Sequence, residues 1–187
     1  MSVDLDWVED LARYDLKRPF FKEQSIWAIW LYRLGRRIDA QQEGLFKNIS
    51  TVFYWTLFRL IETLIGVSLP KSASIGGGLR IWHFGGIFIH PDVVIGKRCT
   101  LRQGVTIGNR VENGGVPTIG DNVDFGAYAQ VLGGVRIGND CKIGAMTLVI
   151  TDIPDGATAV GIPARVIMAN HSHDSNAMNA YRNATNL

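Results

Sequence analysis

The chain has 187 residues, of which 47% are hydrophobic, and its 19 basic and 17 acidic side chains leave a formal charge of +2. This length suits one globular domain with an appendage, large enough to bury a core without disulfides or a structural metal. Because charges of both signs are scattered and form no basic stripe, we exclude nucleic acid as a partner. The acidic N-terminus resembles no signal peptide, so we expect a cytoplasmic protein with Cys99 and Cys141 as small buried residues.

Residues 1–66 are predicted to form a helical region, because most aromatic residues lie before Val67 and most glycines lie after it. A short helix is expected from about residue 5 to residue 14, ended by Pro19. Apolar residues at three- and four-residue steps predict two longer amphipathic helices over 25–38 and 45–66. Gly35 is expected to weaken the end of the first, and Gly66 to end the second.

The segment 45–66 does not read as a membrane-spanning helix. Its longest uncharged run, between Lys47 and Arg59, has eleven residues, whereas a spanning helix needs about 20. Its aromatic residues suit packing against other helices or another subunit, or contact with a membrane surface. Peripheral contact of these helices with the inner face of the membrane therefore stays open. The residues are Phe53, Tyr54, Trp55 and Phe58.

Residues 67–168 repeat with a period of six. An aliphatic or aromatic residue recurs at each step, with a two-residue slip after Ile81 and a gap of twelve after Ile107. Glycine follows many of these residues, and a small or aliphatic residue often lies four places further on. This hexapeptide pattern predicts a mainly β fold, a parallel β-helix preceded by the helical region. The repeated positions are Leu69, Ile75, Ile81, Ile89, Ile95, Leu101, Ile107, Ile119, Phe125, Val131, Ile137, Ile143 and Val149.

Three hexads close one coil of such a helix, with the repeated residue and its partner four places on pointing inward. Coils stack at the strand spacing of about 4.8 Å, so no coil buries its core alone. We expect glycine to relieve the backbone where the chain turns. The segment 108–118 has charges and paired glycines in place of inward residues, and it is expected to form an extended loop, a common location for function. Residues 169–187 are polar and aperiodic, which predicts a solvated tail, and His171 with His173 is too weak a pattern for a metal site.

Residues 67–166 resemble the catalytic domain of serine acetyltransferases and related hexapeptide-repeat acyltransferases. Three segments carry the resemblance: IWHFGGIFIHPDVVIG at 81–96, LRQGVTIGN at 101–109, and the stretch from VPTIG to GIPARVI at 116–167. The resemblance implies a left-handed coil, a homotrimer with sites between adjacent subunits, and acetyl-coenzyme A (acetyl-CoA) as the acetyl donor, with no metal needed.

The resemblance assigns His83 as the general base. Histidine meets this role because its ordinary pKa lies near the working pH, and proton removal contributes about 10² to 10⁴ in rate. The acceptor hydroxyl then attacks the thioester, and a backbone N–H at Gly108 or Asn109 is expected to meet the developing oxyanion. His90 in the segment IHPD is read as a corner residue, with a secondary role in acceptor binding as the alternative.

The chain departs from the family pattern at three positions. Where serine acetyltransferases have an aspartate before the histidine, another about fifteen residues upstream, and a second histidine in the loop, this chain has Trp82, Ser68 and Val116. A free amino group prefers a carboxylate partner, whereas an indole offers a flat apolar platform.

The departures favour a sugar acceptor. We predict that Trp82 and Phe84 stack on the sugar, with Ser68 and Asp92 also binding the acceptor. Asp92, Glu112 and Ser68 are the candidates to orient His83. The short helical region likewise favours the shorter relatives that acetylate precursors of surface polysaccharide or lipopolysaccharide.

The coenzyme is expected to lie between neighbouring coils, where small corner residues let its pantetheine arm approach the backbone. We predict contacts at Gly126–Ala127 and Gly144–Ala145, and a contact of Arg165 with a coenzyme phosphate. The main prediction is thus an acetyl-CoA-dependent O-acetyltransferase acting on a sugar hydroxyl. The alternatives are L-serine as acceptor, or a non-catalytic β-helix scaffold.

Overall fold

The computed structural model describes residues 2–14 and 19–168, so the predicted tail at 169–187 lies outside the described residues. The predicted helices over 5–14, 25–38 and 45–66 correspond to α1, α3 and α4. Pro19 begins a short helix instead of ending one, since its fixed φ suits the first helical position. The helices are α1 (Ser2–Ala12), α2 (Pro19–Lys22), α3 (Ser25–Asp39) and α4 (Leu45–Ile65).

The strands that follow form a left-handed parallel β-helix of about five coils, as predicted. Each of the first four coils contributes one short strand to each of three sheets, which we call faces A, B and C. Face A holds β1 (Val67–Ser68), β4 (Ile87–Ile89), β7 (Thr106–Gly108), β10 (Gln130–Leu132) and β13 (Leu148–Val149). Face B holds β2 (Ser74–Ile75), β5 (Val94–Ile95), β8 (Thr118–Ile119) and β11 (Arg136–Ile137). Face C holds β3 (Arg80–Trp82), β6 (Thr100–Arg102), β9 (Asp124–Phe125), β12 (Lys142–Ile143), β14 (Thr158–Val160) and β15 (Arg165–Ile167).

The three faces enclose a triangular prism, and its interior is filled by the residues that the six-residue period selects. Every repeated position named above is at most 5% exposed, and Phe125 is the largest of these side chains. Burying one such side chain contributes about 1.5–3 kcal/mol, so the ladder of inward residues is the main source of stability. Cys99 and Cys141 lie in this core as free thiols, as predicted.

The glycines that follow the repeated residues have a different role from the one predicted. Gly96 does not adopt a positive φ, whereas Arg98, two residues later, does, at 57°. A Cβ at Gly96 would lie 2.6 Å from the carbonyl carbon and oxygen of Gly120 on the next coil. These glycines are therefore required because stacked coils approach closely there, and the left-handed turn falls on the residue further along.

The N-terminal helices close the first coil of the prism. Side chains from the segment before α2 and from α3 bond to backbone groups that have no preceding coil to pair with. These helices also add to the core of the prism, since Ile26, Ala28, Ile29 and Tyr32 of α3 belong to it and Trp7 and Leu11 of α1 pack against it. The bonds join the Tyr32 hydroxyl to Ala73 O and Ile75 N, Arg33 to Ile75 O and Gly76 O, Asp10 to Leu79 N, Tyr14 to Ile81 N, and Ser25 to Ile81 O.

Gly35 lies within α3 and does not weaken its end. A Cβ at this position would be 2.6 Å from the Tyr54 ring, so the glycine allows α4 to pack closely against α3. Gly66 caps α4 with a φ of 63°, as predicted.

The opposite face of α4 is apolar and exposed along its whole length. Within residues 2–14 and 19–168 we find no helix whose length and hydropathy would allow it to span a bilayer. The exposed side chains are Leu45, Phe46, Ile49, Val52, Phe53, Leu60 and Leu64.

Candidate active site

The two-residue slip in the repeat forms a bulge at the corner between faces C and A, which we call the C–A corner. Trp82 pairs with Arg102 on the next coil, and the Gly104 N–H donates to Gly85 O at 3.0 Å. In a parallel pair the N–H bonds to the residue before its partner, so the partner of Gly104 is the residue after Gly85. Residues 83–85 therefore lie opposite the single residue Gln103. His83 has a φ of 61°, a left-handed conformation that turns the chain outward at the bulge.

The bulge presents His83 at the surface between two aromatic side chains. Its ring is exposed, and no residue within 2–14 or 19–168 makes a hydrogen bond to it. Trp82 is 44% exposed and Phe84 is 46% exposed. The predicted base is thus neither inside the prism nor held by any of the predicted orienting residues.

The guanidinium of Arg80 packs against one face of the Trp82 ring. The Arg80 guanidinium lies 4.1 Å from the centre of the Trp82 ring and 3.7 Å from that of Tyr14. Its nearest acid is Glu23, at 3.7 Å. Since Arg80 is nearly fully buried, the indole is a rigid platform with one face covered and the other available.

The predicted coenzyme residues lie on the same corner as His83. The Tyr128 N–H donates to Gln103 O at 2.9 Å, and the Met146 N–H donates to Ala127 O at 2.8 Å. This ladder stacks the corner turns in the order His83, Gln103, Ala127 and Ala145. Ala127 and Ala145 are therefore two and three coils from His83, roughly 10 and 14 Å along the prism axis.

Arg165 lies beyond the last of these turns. It is exposed on β15, which pairs antiparallel with β14 through Val160 and Arg165. A shallow cavity of about 220 Å³ lies beside the turns of the third and fourth coils on this corner. It is lined by Tyr128, Gln130, Met146, Thr147, Leu148 and Ile162. The corner thus carries His83 near one end and an exposed cationic side chain, Arg165, beyond the other.

The predicted oxyanion residues are not on this corner. Gly108 ends β7 at the far edge of face A, where it pairs with Leu132, and the Asn109 side chain donates to Val111 O at 3.0 Å. His83 precedes β4 at the near edge of the same face. The width of face A, three to four residues or roughly 10–13 Å, separates the two sets within one chain.

His90 and Asp92 also lie at the far edge of face A. The Asp92 N–H donates to the His90 ring nitrogen Nδ1 at 3.2 Å, which makes this pair a local turn. Glu112 is exposed in the loop between β7 and β8, at that same edge. Neither carboxylate is placed by its own chain beside His83.

Ser68 lies on β1, paired with Phe88, so it faces outward on face A near the bulge. Reasoning from the sequence missed Gln103, whose side-chain oxygen is buried and has no hydrogen-bond partner within the described residues. The slip itself was the available signal, since the residue opposite an insertion necessarily lies beside it. Across the described ranges no group of three His, Cys, Asp or Glu side chains is placed to hold a metal ion.

Comparisons with known proteins point to one group. Residues 117–151 match the family model described as bacterial transferase hexapeptide (six repeats). A serine acetyltransferase of Helicobacter pylori is 36% identical over 174 residues, covering 89% of this chain and 96% of that protein. A serine acetyltransferase of Synechococcus elongatus is 41% identical over 125 residues, covering 66% of this chain. The chain spans about half the length of this second relative, 51%.

A solved structure gives the same indication. Soybean serine acetyltransferase complexed with serine superposes with a TM-score of 0.75 at 28% identity, covering 89% of this chain and 70% of that one. All three relatives carry the name serine acetyltransferase, and none of the three is named for a polysaccharide acceptor.

Proposed function

Since the chain belongs to the serine acetyltransferase family, we propose that it is an acetyl-CoA-dependent O-acetyltransferase whose acceptor is L-serine. The prediction of an acyltransferase enzyme agrees with this family. We base the choice of L-serine on the names of the relatives. The departures in the sequence had favoured a sugar hydroxyl instead.

The observation that carries the proposal is the stacking of His83, Ala127 and Ala145 on one corner. The exposed imidazole, the two alanines and the exposed Arg165 follow one another along this corner. We propose that the corner forms the coenzyme groove, which holds an extended thioester arm with the acetyl group near His83 and the phosphates near Arg165. A binding cleft of this kind needs few polar groups, placed at its two ends.

In the proposed reaction, the His83 imidazole takes the proton of the acceptor hydroxyl as its oxygen attacks the thioester carbonyl carbon. A new C–O bond forms and the C–S bond breaks. The proton on the imidazolium then passes to the departing thiolate, which leaves as the free thiol of CoA. His83 returns to its neutral state, so no further acid or base is required.

The proposed site is completed by a second copy of the chain. Gly108 and Asn109 lie across face A from the His83 of their own chain, roughly 10–13 Å away. If their N–H groups stabilise the oxyanion, they must come from a neighbouring subunit whose far edge meets this corner. This supports a homotrimer with its sites between subunits, and analytical ultracentrifugation showing a monomer at assay concentrations would contradict it.

A sugar hydroxyl is a second candidate acceptor, favoured by one specific observation. Trp82 is stacked on Arg80, half exposed, and replaces a carboxylate that would bind the amino group of serine. An aromatic platform beside the base suits a pyranose ring better than a small zwitterion.

The test measures CoA thiol release from acetyl-CoA, with L-serine or a panel of hexoses and nucleotide sugars as acceptor. We expect turnover with L-serine in the wild type and a loss of about 10² to 10⁴ in the His83→Ala variant, with the oligomer unchanged. Turnover with a sugar alone would replace serine with the second candidate. Calorimetry that detects no CoA binding, together with no turnover, would favour a non-catalytic scaffold.

We propose that the exposed face of α4 makes a further contact outside the site, with another protein or a membrane surface. Of the four aromatic residues on which this expectation rested, Phe53 and Trp55 are exposed, whereas Tyr54 and Phe58 are buried. Flotation with anionic vesicles of wild type and a Val52→Glu, Phe53→Glu variant distinguishes these. Binding lost in the variant would favour the membrane, and no binding in either would exclude it.

A further inference from the structure

We propose that Gln103 is the positioning residue of His83, with its side-chain amide oxygen accepting a hydrogen bond from the imidazole N–H. This inference rests on the proposed function only for its kinetic consequences. The contact itself can be measured without turnover.

The first observation is the register of the two strands that flank the bulge. Trp82 pairs with Arg102, and Gly104 bonds to Gly85. Gln103 is therefore the residue of the second coil that lies opposite the bulge, and His83 is the first residue of that bulge.

The second observation is that both side chains lack partners. The Gln103 side-chain oxygen is buried and makes no hydrogen bond with any described residue, and the His83 ring likewise has none. A buried carbonyl without a partner is unfavourable, so we expect the Gln103 oxygen to accept a hydrogen bond from a donor that reaches it. An imidazole N–H is a donor of suitable size and position.

The third observation concerns the residues that could compete with Gln103. The chain has Trp82 and Ser68 at the two positions where the family pattern has an aspartate. Asp92 bonds locally to His90 at the far edge of face A. Ser68 pairs with Phe88, whereas the register places Gln103 directly opposite residues 83–85.

A neutral amide in this place has a chemical consequence. It fixes the ring orientation and the tautomer of His83, as a carboxylate would, without placing a negative charge beside the ring. The charged groups on the strands around the bulge are Arg80 on β3 and Arg102 on β6. Arg102 is ion-paired with Asp124 on β9.

The experiment is an NMR titration of the histidine ring signals between pH 5 and 9. The His83 signals are assigned by their absence in the His83→Ala variant. In Gln103→Glu, a carboxylate at hydrogen-bond distance is expected to raise the pKa of His83 by about one unit or more. The matched control is Gln130→Glu, which adds the same charge on face A about two coils away, where a shift of a few tenths at most is expected.

A second variant covers the case in which Gln103→Glu does not fold. In Gln103→Leu, ring ¹⁵N shifts are expected to change from one dominant tautomer of His83 to a mixture. The same variant should lower kcat by up to about 100-fold with little change in the KM for acetyl-CoA, whereas Gln103→Glu should retain most of kcat.

Two results would overturn the inference. One is a His83 titration in Gln103→Glu that differs from wild type by no more than the Gln130→Glu control. The other is a Gln103→Leu variant with unchanged tautomer signals and a raised KM for acetyl-CoA, which would place the side chain against the coenzyme. Because the ring signals do not depend on turnover, an inactive wild type would contradict the proposed function and leave this contact testable.

Discussion

Replacing Gly96 with alanine tests the physical reason for glycine in the repeat. The new Cβ would lie 2.6 Å from the Gly120 carbonyl group and 2.3 Å from the Asp121 carboxylate, whereas ordinary contacts lie at 3.4–4 Å. The two coils must separate by nearly 1 Å, and overpacking of this kind costs about 1–3 kcal/mol. For a domain of this size the melting temperature should fall by roughly 2–12 °C.

The matched control is Gly134→Ala. Its Cβ would lie 3.5 Å from Gly115 Cα, an ordinary contact, and its φ lies outside the left-handed region. This variant should melt at or slightly above the wild-type temperature, because alanine reduces the entropy of the unfolded chain. Thermal unfolding followed by circular dichroism measures both variants. If Gly96→Ala melts with the control, close stacking is not the reason for the glycine.

Three further predictions concern buried and exposed side chains. Burial raises the pKa of Cys99 to about 11 and also raises that of Cys141. Both thiols therefore stay protonated at pH 8 and should react with a disulfide reagent only after unfolding. Fast reaction of the folded protein would contradict their burial. Arg33→Leu leaves the carboxylate of Asp10 buried without its partner and should cost about 3–5 kcal/mol in urea unfolding. The added change Asp10→Asn should restore only part of this, because Ile75 O and Gly76 O also lose their bonds to Arg33. Arg165→Ala should raise the KM for acetyl-CoA about fivefold, as expected for an exposed charged contact worth about 1 kcal/mol, and an unchanged KM would remove Arg165 from the coenzyme groove.

The prism could be predicted from the sequence because one short-range rule determines it. Each repeated position, from Leu69 to Val149, is an aliphatic or aromatic residue, spaced by six except at the slip and the gap, and all are buried. The turn conformation was assigned to the wrong residue, because spacing alone does not separate a glycine needed for positive φ from one needed for close approach. Gly96 and Arg98 show the difference only once neighbouring coils are in place.

The candidate site could be predicted in part. The resemblance selected His83 and the Gly–Ala pairs, and the structure places them on one corner. The sequence did not indicate that Gly108 and His83 lie at opposite edges of face A. Assigning a residue to a face requires counting strands along the chain, and the slip after Ile81 disturbs that count. Gln103 was missed for the same reason, since its relation to His83 arises from stacking and not from nearness along the chain.

The bonds from Tyr32, Arg33, Asp10 and Tyr14 to the first coil have a consequence for how copies of the molecule meet. An open strand edge invites another chain to add to it, and here that edge is already occupied by side chains at the start of the prism, while β15 folds back over β14 at its finish. These contacts oppose the addition of another chain along the axis at the start of faces B and C and at the finish of face C.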